Sequence, residues 1–515
     1  MTEDQPAPDR RATGRAALVI GGGLGGLSAA IQLGAAGWSV TLLEAADQLG
    51  GKAGTVTLPG GVVADTGPSV LTLPSVLTPL LEAAGLQPGV DLVFRQPEPA
   101  FRYRFVDGTV VDLHHGMDET LASVAQALGD DAADEFRRFV AYTGQIWDAA
   151  APRFIYGPAP DWRTVLSYGL GALFELRHID PLRSMQRAIR AQVRSEHLRM
   201  IFARYATYNG SDVRRAPATL NCIAHVELAL GGYGIEGGIH AMIEVLAEAA
   251  RRVGVQVRCA AAVERVELDD RGRVRGVRLR SGEALSADVV VCNADAAWLA
   301  EALPAGTRHG LGGSTAVGSM SGWNAILKAR RRPDRPAHEV LFCADYDQEF
   351  GDIFDHDRPP EDPTIYLCAQ ERAHGRSGWA DHEPLFIMVN APVEPIDGAR
   401  PAAIWEAVER TARERLRAHG LTDGDDAVVW RRTPADLAAR FPGSLGGLYG
   451  AASNDPLAAF RRPPNRLRAV PGLYLATGSA HPGGGMPLAL RSGQAAAEAI
   501  AADRPTLALP SPEPT

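Results

Sequence analysis

Long uncharged apolar runs broken by glycine mark both ends of the chain. Residues 16–43 carry no charge over 28 positions, enough on length alone to span a bilayer. Seven glycines cut that run into shorter units, three of them consecutive from Gly21 to Gly23. Residues 16–20 form a short apolar run typical of a strand buried on both faces. Residues 25–36 are Ala- and Leu-rich and read as a helix, and residues 39–43 form a second strand closed by Glu44. Strand, glycine turn, helix and strand make a βαβ unit rather than a membrane span. Near the other end, 470–478 predicts a strand ending in a turn. A second glycine-rich turn and a helix over about 488–501 follow it. Between the two ends, strands are expected at 255–257, 262–266 and 287–292, and a helix after Gly237-Gly238-Ile239-His240.

The first turn reads Gly21-Gly22-Gly23-Leu24-Gly25-Gly26. In a dinucleotide fingerprint Gly21 permits the tight turn, Gly23 lets a pyrophosphate approach the backbone, and Gly26 lets helix and strand pack closely. The helix start at Leu24 then offers free N–H groups and a positive dipole end to phosphate. Glu44, 18 residues beyond Gly26, is placed to accept ribose hydroxyls and would repel a 2′-phosphate. Gly50-Gly51-Lys52, a few residues beyond it, is similar to the extended signature of amine oxidase-like flavoproteins, in which paired glycines and a basic residue lie along the FAD pyrophosphate. Far downstream, Gly478 ends a strand, and His481-Pro482-Gly483-Gly484-Gly485-Met486-Pro487 opens a helix. N–H groups at such a helix start can face the flavin edge and stabilise negative charge on the reduced ring.

Composition narrows the field. Hydrophobic residues at 46% and charged residues at 22% are those of a globular chain. A net charge of −9 argues against nucleic acid as a partner. The five cysteines include no CxxC spacing, which points to free thiols in a reducing compartment. Residues 1–15 contain no apolar stretch of the kind a secretory signal needs. No metal cluster and no Ser/His/Asp order is recognisable.

The head (19–74, with Asp65-Thr66-Gly67-Pro68-Ser69), the middle (237–240, 255–266 and 287–295) and the tail (472–493) together resemble the bacterial-type phytoene desaturase family of carotenoid desaturases. Arg204-Tyr205-Ala206-Thr207-Tyr208 resembles the corresponding stretch of the 1-hydroxycarotenoid 3,4-desaturases, and Pro487-Leu488-Ala489-Leu490-Arg491 agrees in departing from the smaller residues common in phytoene desaturases. The resemblance implies an α/β fold. A Rossmann-type FAD domain would be built from discontinuous segments near 1–76, 228–295 and 465–504. A mixed α+β substrate domain would come from 77–227 and 296–464, with a disordered tail at 505–515. It implies FAD as cofactor, with Val263 at the adenine, and a carotenoid drawn from the bilayer as substrate. Quinone or oxygen would be the electron acceptor.

The expected chemistry is removal of a hydride and a proton from adjacent carbons. FAD takes the hydride, and protein groups align the polyene and manage the proton. Arg204 and Glu236 are the candidate polar groups near the reacting carbons; His225 and His481 are weaker ones. A buried donor, Arg204 or Tyr208, is expected to pair with the C1 hydroxyl. Val165 to Phe174 is uncharged, and a helix is expected from Pro181 with Arg183, Arg187, Arg190 and Arg194 on one face. Leu182, Met185, Ile189, Val193 and Met200 would line the adjoining apolar stripe. That pattern suggests docking on the cytoplasmic surface of the inner membrane without spanning it. The alternatives are a phytoene desaturase, a carotenoid isomerase or ketolase, an amine oxidase, and a flavin-free lipid chaperone of the GDP-dissociation-inhibitor type.

Overall fold

The structure is a computed structural model. It describes residues 15–160 and 179–504, apart from 305, 309–310, 312–317, 425 and 456. The run at 165–174 and the tail at 505–515 lie outside the described residues.

The uncharged N-terminal run folds as strand β1 (Ala16–Ile20), helix α1 (Leu24–Ala35) and strand β2 (Ser39–Leu43). These join a five-stranded parallel sheet in the order Gln256–Arg258, β2, β1, Val289–Cys292, Leu473–Leu475. Its strands come from parts of the chain more than 200 residues apart. The central ones are buried on both faces, which is why they read as unbroken apolar runs rather than alternating ones. Helices Ile239–Arg252 and Met486–Asp503 pack against α1. The last helix therefore starts two residues before the expected 488 and ends two after 501. Gly493 makes its close approach possible: a Cβ there would stand 2.3 Å from the Gly25 carbonyl oxygen.

The second layer is a seven-stranded mixed sheet running from Ala427–Arg432 through Ser321–Arg330, His382–Ala391, Ile365–Ala369, His338–Leu341 and Phe101–Arg104 to Val110–Leu113. Helices from 117–154 and 185–209 cover one end of it around an aromatic core that includes Phe101, Phe136, Phe139, Phe202, Tyr205 and Phe342.

One expected element differs. The helix expected from Pro181 is instead Met185–Gln192, capped by Ser184, and a separate helix, Glu196–Ala203, is capped by Ser195. Buried Glu135 accepts the N–H groups of Arg194 and Ser195 at 2.8 and 3.1 Å, and this ends the first helix. The predicted stripe is corrected too: Met185, Ile189 and Val193 are buried in the aromatic core, while Leu182 is 88% exposed. Arg183 pairs with Asp180 and Arg190 with Asp347. No helix among the described residues is long and apolar enough to cross a membrane.

Candidate active site

All five strands of the parallel sheet end at one carboxyl edge, and from β1 the chain order runs to β2 on one side and to Val289–Cys292 on the other. Such a switch point is the ligand crevice of an open α/β sheet. Gly21 leaves β1 at φ +94°, and its N–H donates to the Leu43 carbonyl at 2.7 Å. A Cβ on Gly26 would lie 2.0 Å from the Gly21 oxygen, so α1 approaches β1 this closely only through glycine. Gly23 has extended backbone, and its bare Cα faces the second glycine turn: a Cβ on Gly51 would come within 3.4 Å of it. The Gly50 N–H donates to the Gly22 oxygen at 2.9 Å and ties the two turns together.

Leu24 and Met486, both buried, open the two helices, and neither helix start receives a side-chain cap. Their first-turn N–H groups and dipole ends are left for an anion.

Glu44 follows β2 directly, with both oxygens engaged. Oε2 accepts the Gly22 N–H at 2.7 Å and Oε1 the Ala46 N–H at 2.8 Å. The carboxylate thus shapes the turn, and each oxygen keeps a lone pair for a further donor. The chain leading to Val263 runs beside it, with the Ala261 N–H donating to the Glu44 carbonyl at 2.8 Å. Val263 is buried with Leu18, Ile20 and Leu43. Asn293, to which the sequence reading gave no role, staples the crevice. Its Oδ1 accepts the Gly23 N–H at 3.1 Å, and its Nδ2 donates to the Ala476 oxygen at 2.5 Å. Its signal was an amide placed directly after the wholly apolar strand Val289–Cys292.

The cationic side chains are more numerous here than the motifs suggested. Lys52 donates to the carbonyls of Gly447 and Leu448, each at 2.8 Å, and burial pushes its ammonium down to about 8. Arg462 reaches only neutral acceptors among the described residues, including Gly478 O at 3.3 Å and Asn209 Oδ1 at 3.3 Å. Burial lowers it to about 10. Arg432 donates to Thr66 O, stacks on Trp430, and leaves its buried Nε without a partner. Buried cations hydrogen-bonded to neutral acceptors, uncapped helix starts and side-chain-free glycine turns form a donor-rich cradle. It fits an anionic dinucleotide such as FAD.

Arg204 lies in the 3-10 turn Arg204–Asn209 and is buried. It donates to the hydroxyls of Tyr103 at 3.0 Å and Tyr208 at 2.9 Å, and its guanidinium lies 4.7 Å from the Phe101 ring centroid. Neighbouring tyrosines and Glu227 hold it well above the usual arginine value against the opposing effect of burial; it donates hydrogen bonds and takes up no proton. Its acidic neighbour is Glu227, absent from the sequence reading, and not Glu236. Glu236 is exposed and paired with Arg95 at the surface, so the expectation that it stands with Arg204 is corrected. His481 is buried, donates from Nε2 to the Gly157 carbonyl at 3.1 Å, and is pushed down to about 4 by burial; it shapes the tail turn as a neutral ring. His225 packs beside Gly144 and Trp147, with its Nδ1 unpaired.

Through Arg462, the Arg204–Asn209 turn is bonded directly to the Gly478 turn. Fold and site together define a flavoprotein oxidoreductase holding FAD across a discontinuous Rossmann-type domain. The chain belongs to the flavin containing amine oxidoreductase family, whose sequence profile matches residues 24–501. It is 37% identical over 491 residues to a hydroxyneurosporene desaturase of Cereibacter sphaeroides, covering 94% of this chain and 97% of that one. A protein of the same name from Rhodobacter capsulatus is 36% identical over 500 residues, covering 95% and 98%. A 4,4′-diapolycopene oxygenase of a Methylomonas species is 32% identical over 493 residues, covering 94% and 98%. Among solved structures, an oxidoreductase from Methanosarcina mazei superposes with a TM-score of 0.59 at 17% identity, covering 94% of this chain and all of that one. Cyclohexylamine oxidase from Brevibacterium oxydans does so with a TM-score of 0.58 at 17% identity, covering 95% and 99%.

Proposed function

We propose that the protein is an FAD-dependent desaturase that introduces the 3,4 double bond into a 1-hydroxylated carotenoid. The observation that carries the reading is the Arg462 bridge. It joins the Arg204–Asn209 turn, the segment with the most specific resemblance to 3,4-desaturases, to the Gly478 turn of the cofactor site. The whole-length similarity to hydroxyneurosporene desaturases supports it.

In this reading Gly21, Gly23, Leu24, Gly26, Glu44, Gly51, Lys52, Val263, Gly478 and Met486 hold FAD. The segments near 1–76, 228–295 and 465–504 form its domain. Bound FAD would supply the acceptor for the hydride and the proton lost from two adjacent sp³ carbons. The chain's own residues bind and orient. The buried aromatic core around Phe101 and Tyr103 excludes water, and Arg204 fixes the hydroxyls of Tyr103 and Tyr208. Quinone or oxygen takes the electrons afterwards.

The substrate dissolves only in a bilayer, which supports association with the cytoplasmic face of the inner membrane. With the apolar stripe buried, exposed Leu182 together with Arg187 and Arg194 is the contact we assign.

The deciding experiment incubates reconstituted protein with a 1-hydroxycarotenoid and, in parallel, with phytoene. Preferential desaturation of the hydroxylated substrate is expected. Equal or better turnover of phytoene overturns the substrate assignment, and an oxygenated product overturns the reaction type.

A further inference from the structure

Arg462 follows the short helix Ala458–Arg461 and belongs to none of the sequence motifs. Its guanidinium has five acceptors: the carbonyls of Tyr449, Ala451 and Gly478, Asn209 Oδ1 and Ser453 Oγ. All are neutral oxygens, and all lie at 3.2–3.4 Å. Such distances are long for a charged donor, which reaches a carboxylate at about 2.7–2.9 Å. The ionisable side chains beside it are neutral as well: burial pushes Tyr449 up to about 12 and His481 down to about 4. Lys52 and Arg432 are placed differently, for each feels a nearby carboxylate, Asp295 and Asp436 respectively. Arg462 forms no ion pair among the described residues, and burial alone acts on it.

A cation withdrawn from water and given only neutral partners is costly until an anion joins it. The position of Arg462 tells which anion. It grips the turn that opens the helix Met486–Asp503: it donates to the Gly478 carbonyl, and a Cβ on Gly483 would lie 3.6 Å from the guanidinium carbon. The residues after it are fastened to the same turn. The His481 N–H donates to the Pro463 carbonyl at 3.0 Å, and Asn465 donates to the Leu475 and His481 carbonyls at 3.1 and 2.8 Å. The pyrophosphate of FAD brings two negative charges. Lys52, and Arg432 bonded to Thr66 beside it, are the cations at hand for those. One further negative charge appears only on reduction, because a hydride brings two electrons and one proton to a neutral ring.

We propose that Arg462 is the counter-charge of the reduced flavin. It lies along the ring edge that faces the start of the helix Met486–Asp503 and, with the N–H groups there, favours the negative charge that a hydride delivers. In that step a C–H bond of the substrate breaks, a bond from hydrogen to the flavin N5 forms, and the electron pair spreads onto the ring edge beside the guanidinium. The ring keeps the charge until the proton lost from the adjacent carbon neutralises it, or until quinone or oxygen takes the electrons. Arg462 itself moves no proton. The inference rests on FAD as hydride acceptor and holds whichever carotenoid is the substrate.

The test needs no substrate. Flavin-loaded wild type, Arg462→Gln and Arg462→Lys are compared by the reduction potential of the bound FAD, equilibrated against reference dyes. The pH at which the reduced ring takes up a further proton is read from its near-ultraviolet absorbance, and FAD affinity is measured alongside. Arg462→Gln should make reduction less favourable by on the order of ten-fold, a fall of about 30 mV for a two-electron couple, and its reduced ring should protonate at higher pH. Arg462→Lys keeps the charge without the fork and should lie nearer wild type. A glutamine variant with the potential of wild type overturns the proposal; if its FAD affinity has fallen, Arg462 belongs to the pyrophosphate instead. Should the glutamine variant load no flavin, wild type decides. Its reduced ring should stay anionic down to a pH about one unit or more below that of free reduced FAD, and protonation at the free value overturns the proposal. Wild-type protein that binds no FAD would instead overturn the cofactor reading on which the proposal rests.

Discussion

Glu44→Gln is the sharpest probe of the cofactor site, because the proposed function adds a separable second task to the one the structure gives this carboxylate. Its oxygens accept the Gly22 and Ala46 N–H groups at 2.7 and 2.8 Å. A glutamine amide keeps one of those bonds and turns an NH2 toward the other N–H, two donors face to face. Leaving one such donor unsatisfied costs about 1–3 kcal/mol, a loss that falls on the flavin-free protein. The ribose hydroxyls lose a charge-assisted acceptor as well, a further 1.5–3 kcal/mol or so, which weakens FAD binding roughly 10- to 150-fold. Glu44→Asp keeps the charge and should lose less binding than glutamine does. Deflavinated protein titrated with FAD by fluorescence quenching measures the second effect, and urea unfolding without flavin measures the first. FAD affinity in Glu44→Gln equal to wild type, or weaker binding by the aspartate variant than by glutamine, would refute the assignment of Glu44 to the ribose.

Three further outcomes follow from particular contacts. Gly26→Ala drives a Cβ to within 2.0 Å of a backbone oxygen; the destabilisation should reach or exceed the upper end of overpacking costs, about 3 kcal/mol, read by urea midpoint and by flavin retained on gel filtration. His374 and His481 are buried as neutral rings, each pushed down by burial to about 4. Between the ordinary histidine value near 6.5 and about 4, the unfolded chain binds protons that the folded chain does not, so stability should fall with pH across that window. The loss is up to about 3 kcal/mol per ring at 1.36 kcal/mol per unit. Urea midpoints at pH 7.5 and 5.0 check this, and replacing both rings with glutamine should make the profile shallower, with buried His338, also pushed down by burial, still contributing. Leu182→Asp combined with Arg187→Gln and Arg194→Gln should reduce co-sedimentation with anionic vesicles, at about 1 kcal/mol per basic residue near the surface. Unchanged binding would remove this face as the membrane contact.

The cofactor frame was legible in the sequence because its chemistry is carried by backbone. Gly21, Gly26 and Gly51 occupy positions where a turn or a close approach tolerates no side chain, and Glu44 follows its strand at fixed spacing. Such demands leave residue-level marks at each point of the chain. The apolar strands were legible for a related reason, since burial on both faces leaves no polar alternation.

What the tertiary structure decided are partnerships between residues whose spacing carries no signal. Arg204 belongs with Glu227 and not with Glu236, because the turn at 204–209 packs against the helix Cys222–Leu228 while Glu236 emerges at the surface beside Arg95. The helical stripe of Met185, Ile189 and Val193 has the same periodicity whether it faces lipid or core. Only its packing against Phe136 and Phe202, in a helix that ends where Glu135 takes the N–H groups of Arg194 and Ser195, makes it core. Arg462 was one arginine among many until folding placed it between Asn209 and Gly478, 253 and 16 residues away along the chain. A local pattern records what a residue's own backbone requires; a buried charge is paired by whatever the fold brings within reach, and that is set by packing over the whole chain.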